Sequence, residues 1–164
     1  MDDVTSLAPI LASVGARYDH TAIAGPSLTT LVTFWRGLMG GTYLYGEVLP
    51  IGAVTAVFAL GDGKIELMAP SPGSTFFDRF FAATGGRGGP HHLTFSVTDL
   101  DQAVGVLDSH GIAHFGLHHD PTGMWSEVFI HPRGNGGTLV QLAVIGDFSP
   151  LITKSLDDLL ALAL

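Results

Sequence analysis

Gly89-Pro90-His91-His92-Leu93-Thr94-Phe95-Ser96-Val97-Thr98-Asp99-Leu100 repeats the pattern of an earlier stretch, Tyr18-Asp19-His20-Thr21-Ala22-Ile23-Ala24-Gly25-Pro26-Ser27-Leu28. In both, an acidic or imidazole residue precedes a His, a run of small, β-branched or aromatic residues follows, and a turn leads to a Leu that opens a helical pattern. His20 and His92 are the matched positions, 72 residues apart. A period of that length occurring twice is a duplicated half-domain and not a solenoid array. Gly63-Lys64-Ile65-Glu66-Leu67-Met68-Ala69 and Gly137-Thr138-Leu139-Val140-Gln141-Leu142-Ala143 repeat in the same way: Glu66 and Gln141 correspond at an offset of 75 residues. Each half therefore begins on a strand carrying a His and ends on a strand carrying a carboxylate or amide. A pseudo-twofold axis between the halves would bring all four side chains to one point, which describes a metal site.

The bulk of the chain sets the limits. Its 164 residues suit one ordinary domain or two small modules sharing a core. With 46% apolar residues and a mean hydropathy of +0.40, most of it should be packed. A net charge of −8 with seven scattered Lys and Arg argues against nucleic acid or an anionic membrane as partner. Cysteine is absent, which excludes disulfides, thiolate ligands and a Cys nucleophile. Met1-Asp2-Asp3 has the wrong sign for a signal peptide, and no apolar run is long enough to span a bilayer, so a cytoplasmic protein is expected.

Along the chain, residues 1–17 are an apolar lead-in, with a short helix expected. The first module, 18–70, reads βαβββ. Its strand over 18–24 puts His20, Ala22 and Ala24 on one face; a helix from Pro26-Ser27 carries Leu28, Leu31, Val32, Trp35 and Leu38; strands follow over 43–49, 53–60 and 64–69. Residues 71–89 hold a Phe-rich helix over 74–83 and a Gly-rich linker. That linker lacks the Lys-Ser/Thr of a P-loop and precedes a strand, which argues against a phosphate cradle. The second module, 90–146, repeats the order: a strand over 90–97, a helix over 99–109 with Asp99 as N-cap, and strands near 112–117, 125–131 and 137–144. Residues 147–164 form an apolar helix through Leu151, Leu156, Leu159, Leu160 and Leu164, covering the domain or a second subunit. The apolar termini predict a homodimer.

The duplicated module, with His on its first strand and Glu or Gln on its last, resembles the vicinal oxygen chelate (glyoxalase/bleomycin resistance/dioxygenase) superfamily from about Tyr18 to Val144. Methylmalonyl-CoA epimerase-like members are the nearest in pattern: Asp19-His20-Thr21-Ala22-Ile23-Ala24, Glu66-Leu67-Met68-Ala69-Pro70, His91-His92-Leu93-Thr94-Phe95, His131-Pro132-Arg133 and Gly136-Gly137-Thr138-Leu139-Val140-Gln141-Leu142 all resemble their motifs. The resemblance implies an α+β fold: two βαβββ modules paired by pseudo-twofold symmetry into a curved mixed sheet, a half-barrel enclosing a metal site. Carried over by position, it implies His20, Glu66, His92 and Gln141 as ligands.

That set makes chemical sense by itself. Imidazole and hard oxygen donors without thiolate suit one divalent ion such as Co²⁺, Ni²⁺, Mn²⁺, Fe²⁺ or Zn²⁺. Four protein ligands on an octahedral ion leave two positions to chelate a carbonyl substrate, whose α-proton becomes removable as enolate charge develops. A carbonyl compound or acyl thioester is the expected partner.

The chain departs from the epimerase pattern in two places. The family places Gln on the last strand of the first module and Glu on that of the second; here Glu66 and Gln141 reverse them. The family's further carboxylate aligns with Thr55, whose pseudo-twofold mate is Glu127. Glu66 and Glu127 are therefore expected to flank the substrate and shuttle its proton. Strand alternation points His91 away from His92. His118-His119-Asp120 is a weaker candidate for a second site, and Phe58, Met124 and Trp125 are candidates for pocket wall. The leading function is a metal-dependent isomerase, epimerase or glyoxalase-type lyase. The alternatives are an Fe²⁺ dioxygenase using His20, His92 and Glu66, and a metal-free drug-binding resistance protein.

Overall fold

The structure, a computed structural model, describes residues 10–147 and 154–162. These residues divide into two compact units: 20–92 with 154–162, and 10–19 with 93–147.

The His20–His92 unit follows the expected βαβββ order. Strand β1 (Arg17–Ala24) leads to helix α1 (Leu28–Val32), then to β2 (Thr42–Leu49), β3 (Ala53–Leu60) and β4 (Gly63–Pro70). The sheet order is β2-β3-β4-β1, with β1 parallel to β4 and the other pairs antiparallel. Ser27 caps α1 by accepting from the Thr30 amide at 3.2 Å, an orphan donor that the helix itself cannot satisfy. One sheet face, carrying Val54, Ala56, Phe58, Ile65, Leu67 and Ala69, packs on Leu28 and Val32 and on Leu156 and Leu159 of the C-terminal helix. That helix, which we number α4, runs Leu156–Leu162; Leu151 and Leu164 lie outside the described residues. The opposite face carries Ala22, Ala24, Ala53 and Met68, covered by Phe77.

Two helices differ from expectation. After Val32 the first helix widens into a π-helical turn, Thr33–Leu38. The extra residue per hydrogen bond rotates the end of the apolar stripe off the sheet, leaving Leu38 72% exposed. The Phe-rich helix α2 is shorter, Asp78–Ala83, because residues 71–77 are spent on turns: the Ser74 amide bonds the Ser71 carbonyl and the Asp78 amide bonds the Thr75 carbonyl. One glycine before the second module, Gly88, serves close approach. A Cβ on Gly88 would lie 2.1 Å from the Ala24 carbonyl oxygen.

The other unit contains a 3-10 turn (Ile10–Val14), β5 (Gly89–Ser96) from Leu93 onward, α3 (Leu100–Ser109), β6 (His114–His118), β7 (Trp125–Ile130) and β8 (Val140–Ile145). Its sheet order is β5-β8-β7-β6, with β5 parallel to β8. Asp99 caps α3, accepting from the Gln102 amide at 2.8 Å. Leu100, Ala103 and Leu107, at helical spacing, bury against Val128 and Leu142, joined by Val14 and Val97. Among the described residues, no helix is long and apolar enough to cross a membrane.

Candidate metal centre

Strand alternation within the His20–His92 unit decides which side chains share a face. On β1 the buried positions are His20, Ala22 and Ala24. On β4, Ile65, Leu67 and Ala69 enter the core under α1, so Glu66 and Met68 face the other way. On β5, His92 is buried, 6% exposed. These strands bring three ligand atoms within 4.8 Å of one another, from His20, Glu66 and His92. Glu66 Oε2 lies 3.5 Å from His20 Nε2 and 3.6 Å from His92 Nε2.

The trio fits a cation. Ligands bound at about 2.1 Å to one ion stand roughly 3.0–3.4 Å apart in octahedral or tetrahedral arrangement, close to the separations found. Two imidazoles and one carboxylate are a donor set for divalent first-row metals. Burial presses the Glu66 carboxyl upward, but the hydrogen bond from His20 and the charges of His92, His20 and His91 outweigh it and hold it below the usual carboxylate range. Among the described residues, this is the group of three or more acid or imidazole side chains placed to share an ion.

A second carboxylate, Glu47, joins this face. Register pairs Val57 and Thr55 of β3 with Glu66 and Met68 of β4, and Glu47 of β2 with Thr55. Thr55 itself is 4% exposed and bears no charge; the acid is directly across the ladder from it. Desolvation raises the Glu47 carboxyl, and the negative charge of Glu66 raises it further. Sequence reasoning passed over Glu47. The signal that finds it is the hairpin register, which the bulge between Tyr43 and Tyr45 obscures.

Gln141 and Glu127 belong to the other unit, where both face the same side of the β7-β8 ladder. Gln141 is 4% exposed. Its Oε1 accepts from the Thr94 hydroxyl at 2.6 Å, and its Nε2 donates to Glu127 Oε2 at 2.5 Å. Trp125 Nε1 donates to the same oxygen at 2.7 Å. Glu127 is thus held as an acceptor through Oε2, and neither bond uses Oε1.

His91 does not turn away from His92 as alternation suggested. Its Nδ1 lies 2.8 Å from His92 Nδ1. Burial lowers the His91 pKa, with Glu66 opposing. The second-site candidate is otherwise engaged: His119 pairs with Asp101 at 3.1 Å, and Asp120 accepts from Thr122, Met124 and Trp125 within its own turn. Phe58 is fully buried in the core beneath the opposite sheet face and walls no pocket on the site side.

The profile of a family described as the glyoxalase/bleomycin resistance protein/dioxygenase superfamily matches residues 19–125. Human mitochondrial methylmalonyl-CoA epimerase is 32% identical over 137 residues, covering 77% of this chain and 72% of the human protein. An ethylmalonyl-CoA/methylmalonyl-CoA epimerase from Cereibacter sphaeroides is 31% identical over 133 residues, covering 77% of this chain and 96% of that one. The crystal structure of methylmalonyl-CoA epimerase from Mycobacterium tuberculosis superposes with a TM-score of 0.70 at 27% identity, covering 86% of this chain and 93% of that one.

Proposed function

Because the chain belongs to the glyoxalase/bleomycin resistance/dioxygenase superfamily, as an enzyme of its epimerase branch, we propose that it epimerises the α-carbon of a 2-alkylmalonyl-CoA-type thioester with one divalent metal ion. The observation that carries this reading is the convergence of His20, Glu66 and His92 within 4.8 Å, in a chain whose relatives are epimerases. His20, Glu66 and His92 would hold the ion. Bound there, the ion supplies positive charge that polarises the substrate carbonyl and makes the α-proton acidic.

The remaining work is proton transfer at the α-carbon, which needs an acid or base. Glu66 is held below the usual carboxylate range by three histidines, which suits a ligand and weakens a base. Glu47, on the same sheet face, is raised by desolvation and by Glu66, nearer to the operating pH at which a carboxylate both takes and returns a proton. Glu47 therefore takes the base role on the first module.

The test is incubation of metal-loaded protein with one epimer of methylmalonyl-CoA in D₂O. Deuterium at the α-carbon together with loss of the starting configuration supports the reading; recovery of undeuterated starting epimer overturns it. The same two-His, one-carboxylate trio is also the ligand set of Fe²⁺ oxygenases, so oxygen consumption by iron-loaded protein is the measurement that would favour that second reading.

A further inference from the structure

We propose that His91 is a positioning residue for the metal ligand His92: its Nδ1 accepts the Nδ1 proton of His92 and so holds His92 in the tautomer whose Nε2 is open to a cation. The inference rests on the metal reading above.

The two Nδ1 atoms stand 2.8 Å apart, and a contact of that kind holds one proton, carried by one ring and accepted by the other. The direction follows from the other end of His92. Its Nε2 is the nitrogen turned to Glu66, 3.6 Å from Oε2. A neutral imidazole that binds a cation through Nε2 carries its proton on Nδ1. His92 is then the donor of the pair, and His91 presents a bare Nδ1 with its own proton on Nε2.

The surroundings of His91 are arranged to keep it there. Phe80 meets the ring edge-to-face at 5.0 Å between centroids and 72°, and Phe77 does the same at 5.6 Å and 84°. Phe77 is 1% exposed, so one wall belongs to the packed core. The rings of His91 and His92 are themselves 5.2 Å apart at 77°. Helix α2 thus has a use beyond covering Ala22, Ala24 and Met68. It clamps the ring that aligns a ligand, and partners of this kind fix both the tautomer and the orientation of ligating histidines.

The experiment uses the full chain as wild type, His91→Phe and His91→Asn. Phe keeps the packing against Phe77 and Phe80 but has no acceptor; Asn can return an acceptor oxygen near the Nδ1 position. Zn²⁺ affinity is measured by chelator competition, and the ring protons of His91 and His92 by ¹⁵N NMR on Zn²⁺-loaded protein. The expected results are a proton on His92 Nδ1 and a bare His91 Nδ1 in loaded wild type, Zn²⁺ binding weakened about 10- to 100-fold in His91→Phe, and substantial recovery in His91→Asn. A proton carried on His91 Nδ1 in loaded wild type, or His91→Phe binding Zn²⁺ as tightly as wild type, overturns the proposal. Wild type that binds no Zn²⁺ overturns instead the metal reading on which the role of His91 depends, leaving the contact between the rings intact.

Discussion

Glu47 and Glu66 lie on one sheet face of one unit and are pushed in opposite directions. Glu66 has histidines around it and ionises more readily than an ordinary carboxylate; Glu47 has partial desolvation and a negative neighbour and ionises less readily. Neighbouring carboxylates whose environments separate their pKa values can divide acid and base roles between them. If Glu47 is the base, it works deprotonated, so kcat/KM of metal-loaded enzyme rises with pH through the raised Glu47 pKa. Glu47→Gln should lower kcat by about 10²- to 10⁴-fold, remove that limb of the pH profile and leave the bound metal in place. Loss of metal in Glu47→Gln would show a structural role instead. The histidines were readable before the structure, since a 72-residue offset matches His20 with His92. Glu47 was not, because its place depends on which residue of β3 it faces, and a bulged hairpin hides that pairing.

At the scale of elements, the C-terminal helix α4 bears on β2 at a glycine. A Cβ on Gly46 would come within 2.3 Å of the Thr55 carbonyl oxygen and 2.5 Å of Leu159 Cδ1. The carbonyl is part of the sheet and cannot step aside, so Gly46→Ala should cost about 1–3 kcal/mol by overpacking, read as a lowered urea midpoint. An unchanged midpoint would mean that α4 is not seated there. The turn before β7 offers a second test. Asp120 accepts from the hydroxyl and amide of Thr122 and from the amides of Trp125 and Met124, which lower its pKa to about 2. A depressed carboxylate contributes stability that is complete above the unfolded value of about 3.9 and is lost as pH falls through the folded value. Asp120→Asn should therefore lower the melting temperature at neutral pH, with the difference from wild type shrinking as pH drops from about 4 to about 2. A difference independent of pH would contradict the assignment. The strands of both modules were legible because period-two alternation and Gly-Asp-Gly or Pro-Gly punctuation are local signals. The π-helical turn was not, since Leu38 fits an α-helical stripe by spacing and only the hydrogen-bond pattern moves it to the surface.

For the molecule as a whole, the repeat makes the same construction twice: a parallel first and last strand, with a meander completing each sheet. The terminal segments behave differently. Residues 10–14 add Val14 to the core under α3, whereas α4 adds Leu156 and Leu159 to the core of the His20–His92 unit. Composition showed that both ends are apolar but not which unit each would join, because burial of a Leu carries no address. Metal binding should register globally as well. An ion that binds only the folded protein adds about 2.7 kcal/mol at a free concentration 100-fold above its dissociation constant, so a chelator should lower the melting temperature of metal-loaded wild type and leave Glu66→Ala unmoved. Equal melting temperatures for loaded and stripped wild type would count against a resident ion. The most direct measurement is anomalous diffraction from crystals of the protein grown with Co²⁺, collected on both sides of the cobalt absorption edge. A single strong peak bonded to His20 Nε2, His92 Nε2 and a Glu66 carboxylate oxygen is expected; a map with no peak among those three side chains, or with cobalt bound elsewhere, would contradict the metal centre.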